Sequence, residues 1–342
     1  MADLLNTGSY QISAKNKSLI FILETSCYYP ASFLSCSKVQ VSLIGEVAAL
    51  LTALCWAVAA RMFRILGSHF SALSLNLWKG VVAIIGLVIF SWLDPAPLSL
   101  TQNQIFWLLL SGIIGIGIGD TFFFAALRRI GDSQSVLIAE TFAPVFTALL
   151  AMAWISEWLT WQQWLGAAVV LFSVDMIVKQ NKRSQYEQVQ PSGYWFAGGA
   201  AVCQSVGAVI SRDILTAGEA TPADASLIRL VGGLMIVMLL LVWRKKPWLP
   251  VTTNPSQAWS LLVAASFVGT LAAMYLQMLS FAHTPAAVVQ TLFATSVLLS
   301  LLVARVMGES IPKRALLWSG VAVAGVMILL GQDFFIKVQA MF

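Results

Sequence analysis

From residue 43 onward the sequence is a succession of long apolar runs separated by short polar breaks. They fall at about 43–66, 70–93, 104–127, 133–155, 160–178, 193–212, 223–243, 257–281, 285–307 and 314–332. About 20 apolar residues in a helix, rising ~1.5 Å per residue, cross the ~30 Å hydrocarbon layer. Lipid offers the backbone no hydrogen-bond partner, so only helices and closed barrels can span it. A barrel needs alternating segments of about ten residues, and unbroken runs such as Leu234–Val242 exclude it. The sequence therefore reads as an all-α polytopic membrane protein with ten transmembrane helices.

Composition removes the alternatives. Soluble domains carry about 25% charged residues, whereas here 10% are charged and 59% hydrophobic, with a mean hydropathy of +0.83. Ten spans use roughly 210 of the 342 residues, which leaves no room among them for a soluble catalytic domain. The net charge of +5 reads as a signal of orientation and not as a nucleic-acid footprint. Cys27, Cys36, Cys55 and Cys203 form no CxxC pair and no zinc spacing. With two histidines and no nucleophile–histidine–acid set, the chain is expected to be no enzyme and to hold no metal or cofactor.

Proline marks the loops at Asp94-Pro95-Ala96-Pro97 and Pro247-Trp248-Leu249-Pro250, because it withholds a backbone donor. The longest break, Lys179–Ser192, separates five runs from five. The expected organisation is a polar, disordered tail over 1–42 and a first half over 43–178. A linker over 179–192, a second half over 193–332 and a tail over 333–342 follow.

The halves repeat one another. Offset by 148, Gly45, Ala49, Cys55 and Ala60 fall on Gly193, Ala197, Cys203 and Ala208. Offset by 150, Lys79 falls on Arg229. Offset by 152, Gly117, Leu127, Val136 and Glu157 fall on Gly269, Leu279, Val288 and Glu309, and Gly166 meets Gly320 two residues later. An odd number of spans per half inverts the second half, the arrangement in which carriers place a midplane site between repeats.

The segment Ala126-Leu127-Arg128-Arg129-Ile130-Gly131 is followed by Ala143-Pro144-Val145-Phe146-Thr147-Ala148-Leu149-Leu150. With Glu157-Trp158-Leu159-Thr160 and Trp164-Leu165-Gly166, it resembles an EamA repeat of the drug/metabolite transporter superfamily. The second half is similar more loosely, through Gly308-Glu309 and Gly320, and has Ser296 in place of Pro144. The resemblance covers about 43–332 and implies two inverted five-helix EamA repeats and a transporter. Lys79 and Arg229 stand where that family commonly has arginine. Pro144, Glu157, Gly166, Arg229, Glu309 and Gly320 read as structural motif residues. Arg229 is expected to snorkel from near its helix start to the interface, and Glu157 and Glu309 to cap helices or anchor loops.

A charge at bilayer depth is expensive, so each needs a reason. Lys79 lies roughly 14 Å into the second span, and Asp120 and Glu140 about 11 Å into theirs, all from one face. They can form a coupled site in which carboxylate protonation alternates with solute binding, or a structural ion-pair cluster. Trp56, Gln204, Tyr275, Gln277 and Gln290 are candidates for lining a solute cavity, or for hydrogen bonds between helices. Gly112, Gly115, Gly117 and Gly119 lack the strand and Lys-Ser/Thr of a phosphate loop and read as close helix contacts. The tryptophans near span ends, such as Trp158 and Trp161, read as an interfacial belt.

Five Lys and Arg residues lie on the side of the termini and thirteen on the other. The positive-inside bias then places the termini outside a bacterial inner membrane, whereas the family resemblance implies the reverse. The expected function is secondary-active export of a small metabolite such as an amino acid, by alternating access in the lipid bilayer with protons as coupling ion. Multidrug or sugar-phosphate carriage, or a non-transporting sensor or assembly role, are the alternatives. No nucleic-acid partner is expected, and the oligomeric state is left open.

Overall fold

Helices form where the apolar runs stand, and most stop at the glycine, proline and polar breaks between them, but helical backbone runs unbroken from Gly119 to Trp154 through the polar break expected between the third and fourth runs. The computed structural model describes residues 33–93, 100–180, 190–218, 220–245, 247–250, 252, 254–308 and 313–339. The chain divides into residues 1–40 and a unit over 41–342 that holds the bundle. Most of the expected tail over 1–42 lies outside the described residues. α1 (Phe33–Leu66) begins well before the first apolar run.

The first half continues with α2 (Ala72–Leu93), α3 (Gln102–Gly112), a π-helical segment (Ile113–Ile118), α4 (Gly119–Trp154) and α5 (Trp161–Gln180). The second contains α6 (Ser192–Thr216), α7 (Pro222–Trp243), α8 (Pro255–Ser266), a π-helical segment (Phe267–Ala272) and α9 (Ala273–His283). It ends with α10 (Ala286–Ala294), α11 (Ser296–Val306) and α12 (Lys313–Gln339). Local chemistry sets several starts. Thr101 and Gln104 bond each other's backbone N–H at the head of α3, at 2.8 and 3.4 Å. Thr160 and Gln163 do the same for α5, at 2.8 and 3.3 Å. Thr221 caps α7 by accepting from Asp224 N at 3.1 Å, with Pro222 at the first helical position.

Nine stretches among the described residues are long and apolar enough to cross a bilayer. The tenth expected crossing, α6, is 25 residues long but carries Gln204, Ser205, Ser211, Arg212 and Asp213. Its Ser205 and Ser211 are fully buried, and it packs against α3, the first π segment and α4. A helix wrapped by protein need not be apolar all round. That is why hydropathy alone underrates it.

Glycines bring the halves together. A Cβ on Gly112 of α3 would overlap the carbonyl of Arg229 in α7, and one on Gly232 of α7 would overlap the carbonyl of Leu109. Gly166 lies against the backbone of Leu329, so α5 meets α12 in the same way. The reciprocal glycine on α12 is Gly325, 2.9 Å from Val170 N as measured from an added Cβ. Gly320, the sequence counterpart of Gly166, has nothing within 4 Å. The fourth helix of each half is weakened at one register position. Pro144 in α4 has no N–H for the carbonyl of Glu140. Its counterpart Ser296 opens α11 directly after the break at Thr295.

Candidate functional site

The third helix of each half contains a π segment, and the two overlap when aligned at the offset of 152. Such insertions re-aim side chains and recur at functional sites. Both segments border a cavity of about 310 Å³ between the halves, through Gly115, Ile116, Gly269 and Thr270. The first half also contributes Trp56, Lys79, Asp120 and Glu140, and the second Gln204, Arg229, Gln277 and Gln290.

Asp120 is the second residue after the first π segment and faces α2. There Lys79 Nζ stands 3.6 Å from Asp120 Oδ2, and Asn76 Nδ2 donates to the same oxygen at 3.1 Å. Lys79 and Asn76 are one turn apart on α2, so both reach one carboxylate. Lys79 Nζ also lies 5.9 Å from the centre of the Phe63 ring. Glu140 is half-buried and has no hydrogen bond or ion pair with any described residue. Gln204 Nε2 donates to Gln290 Oε1 at 3.3 Å across the cavity lining. Trp56 meets Phe293 edge-on, with centroids 5.0 Å apart.

Every sequence candidate for the cavity therefore borders it except Tyr275, whose ring packs against Phe90 at 5.5 Å. The larger departure is Arg229. It does not snorkel to the interface; it is 4% exposed and borders the cavity. Counted from Pro222, Arg229 is about 10 Å deep, close to what the run from residue 223 already implies; its burial comes from the packing around α7. Phe123, Thr270 and Met274 also line the cavity without having stood out as candidates.

Glu157 ties the halves outside the cavity. Its Oε1 accepts from Arg212 Nε at 3.1 Å and lies 3.0 Å from Arg212 Nη2. Its Oε2 accepts from Ala286 N, at the head of α10, at 2.9 Å. A carboxylate at a helix N-terminus meets unbonded N–H groups and the positive end of the dipole. Arg212 Nη1 also donates to the carbonyl of Phe281 at 2.6 Å. Glu309 lies outside the described residues. Trp158 and Trp161 at the start of the fifth span are strongly exposed, whereas Trp259 packs edge-on against Phe70 and Trp78.

The model of the EamA-like transporter family matches residues 43–179 and 191–331. The chain is 26% identical over 139 residues to "Uncharacterized transporter YoaV" of Bacillus subtilis (strain 168). That match takes in 40% of this chain and 47% of the relative, so it spans about half the relative's length. A solved crystal structure of another protein superposes with a TM-score of 0.69, covering 84% of this chain and 95% of that one. At 21% identity this is a likeness of fold.

Proposed function

This chain belongs to the EamA-like transporter family, and on that premise we propose a secondary-active carrier that exports a small metabolite such as an amino acid. It is a multi-pass membrane protein whose partners are the bilayer and a small solute. One observation carries the proposal: the cavity draws ionisable and amide groups from both inverted halves. At about 310 Å³ it stands at the lower end of the range for small-molecule sites, which suits a single metabolite.

In this reading Glu140 is the coupling carboxylate. It exchanges a proton for a cationic group of the solute, while Lys79 and Asn76 hold Asp120 as a fixed charge. The sequence has no P-loop, so uphill transport draws on an ion gradient or a partner protein, and the proposal takes the ion to be the proton that Glu140 exchanges. Alternating access rocks the halves about the cavity, with the π segments and the weakened fourth helices as the yielding points. Arg212–Glu157 closes the face shared with the termini and parts when the solute passes there.

Reconstitution in liposomes with a labelled metabolite panel tests the carrier. Flux of at least one small metabolite, increased by a pH gradient, is the expected result. No flux of any member would favour a non-transporting role. Orientation is part of the proposal: the charge bias favours termini outside a bacterial inner membrane. A reporter fused after Phe342 is expected to read as periplasmic, and a cytoplasmic reading overturns that orientation.

A further inference from the structure

The polar groups that the coupling scheme leaves unused are mostly hydrogen-bond donors. Arg229 lies two turns inside α7, and its guanidinium presents five N–H donors and no acceptor. Its one hydrogen bond among the described residues runs from Nη1 to Met278 Sδ at 3.6 Å, and Nε has none. Asp120 is held by Lys79 and Asn76, and Glu157 by Arg212, so neither carboxylate serves Arg229. Gln290 is 2% exposed; its Oε1 is taken by Gln204, while Nε2 has no acceptor. The Thr270 hydroxyl in the second π segment is also without a partner. Arg229, Gln290 and Thr270 all border the same cavity.

The surroundings preserve this arrangement. A methyl group on Gly115 or Gly207 would stand 3.3 or 3.2 Å from Arg229 Nη2, so two neighbouring helices leave the guanidinium its space. Buried polar groups are bonded in nearly all structures, and an unpaired buried cation is costly, above all in a membrane. A cation with unused N–H groups beside a cavity matches an anion with two oxygens in one plane, because the guanidinium fork bonds both. A phosphate ester carries nearly two negative charges. Arg229 is the one cation bordering the cavity that lacks a carboxylate partner among the described residues, and Glu140 adds a further negative charge. A carboxylate fits this balance and a phosphate does not.

We infer that Arg229 binds the carboxylate of the transported solute, with Gln290 as a second donor, and that the solute is a zwitterion whose ammonium group meets Glu140. This rests on the carrier reading and names its cargo. Arg229 and Glu140 lie about 10 Å from opposite faces of a ~30 Å layer, counted from Pro222 and Gln134. About 10 Å then separates their backbones along the membrane normal, a gap that two side chains and an amino-acid-sized solute can fill.

The test is thermal unfolding of the purified protein with L-amino acids, the matching amino-acid amides and sugar phosphates. At least one amino acid is expected to raise the Tm while its amide does not. Arg229→Gln is expected to remove that rise, weakening binding at least about 30-fold. Arg229→Lys restores only part, because an ammonium lacks the planar fork. Without ligand, Arg229→Gln keeps or raises the Tm, since it removes an uncompensated charge and not half of a pair. An arginine that only ties helices together would give a lower Tm there. The inference is overturned by that lower Tm, by acid and amide acting alike, or by an Arg229→Gln response equal to wild type. Stabilisation by sugar phosphates alone, or by no amino acid, overturns it as well. The acid–amide comparison uses the unaltered protein and decides even if a variant fails to fold. Flux is scored separately: a protein that binds acids and moves none sinks the carrier reading and leaves the site standing.

Discussion

Gly112→Ala is expected to destabilise the protein by about 3 kcal/mol or more, and Gly112→Val to leave no monodisperse protein after purification. A Cβ at this position runs into the backbone carbonyl of Arg229, and a carbonyl fixed in a helix cannot rotate aside. The two helices must separate, and α7 carries Arg229 with it, so the cavity widens as the crossing fails. Gly198 and Gly320 supply the contrast, since nothing lies within 4 Å of an added Cβ at either. Gly198→Ala and Gly320→Ala are expected to change stability little or to add about 0.5–1 kcal/mol, because alanine loses less backbone freedom in a helix. Thermal unfolding in detergent reads all three. If Gly112→Ala matches Gly198→Ala, the close crossing of α3 and α7 is wrong.

Glu140→Gln is expected to abolish accumulation driven by a pH gradient while leaving exchange of solute across the membrane measurable. One pH unit can drive about tenfold accumulation for each coupled proton, and the variant should fall to about onefold. The amide keeps the size and polarity of the side chain but cannot take up and release the proton. Glu140 suits this task better than Asp120. Asp120 has two fixed partners on α2, so Asp120→Asn would leave Lys79 without its counter-charge and disturb the fold as well. Accumulation that still follows the gradient in Glu140→Gln would remove Glu140 from coupling.

Much of this arrangement can be read in the sequence. Counting residues along spans puts Lys79, Asp120 and Glu140 at similar depth; the structure brings Lys79 to 3.6 Å from Asp120 and leaves Glu140 out of the ion pair. Depth follows from position in a helix that must cross a layer of known thickness, so no tertiary information is needed. Arg229 shows the limit. Its depth is legible, since the run from residue 223 already puts it about 9 Å in, but its burial depends on Gly112 and Gly232 drawing α3 and α7 together. Tyr275 shows the same limit from the other side. It lies two residues from Gln277, yet it packs on Phe90 outside the cavity lining.

The sequence by itself determined the spans, the inverted repeat and the family, because hydropathy, length and self-similarity are properties of the chain taken segment by segment. Tertiary structure alone decided which side of each helix faces the cavity. Successive residues turn by about 100° around a helix, so a small error in phase exchanges a lining residue for one packed elsewhere. The two π segments shift that phase within the spans that border the cavity, and the glycine crossings fix the rotation of the helices around it. Neither effect is visible in the apolar pattern, since a span is apolar both where it meets lipid and where it packs on its neighbours, so hydropathy does not say which way it is turned.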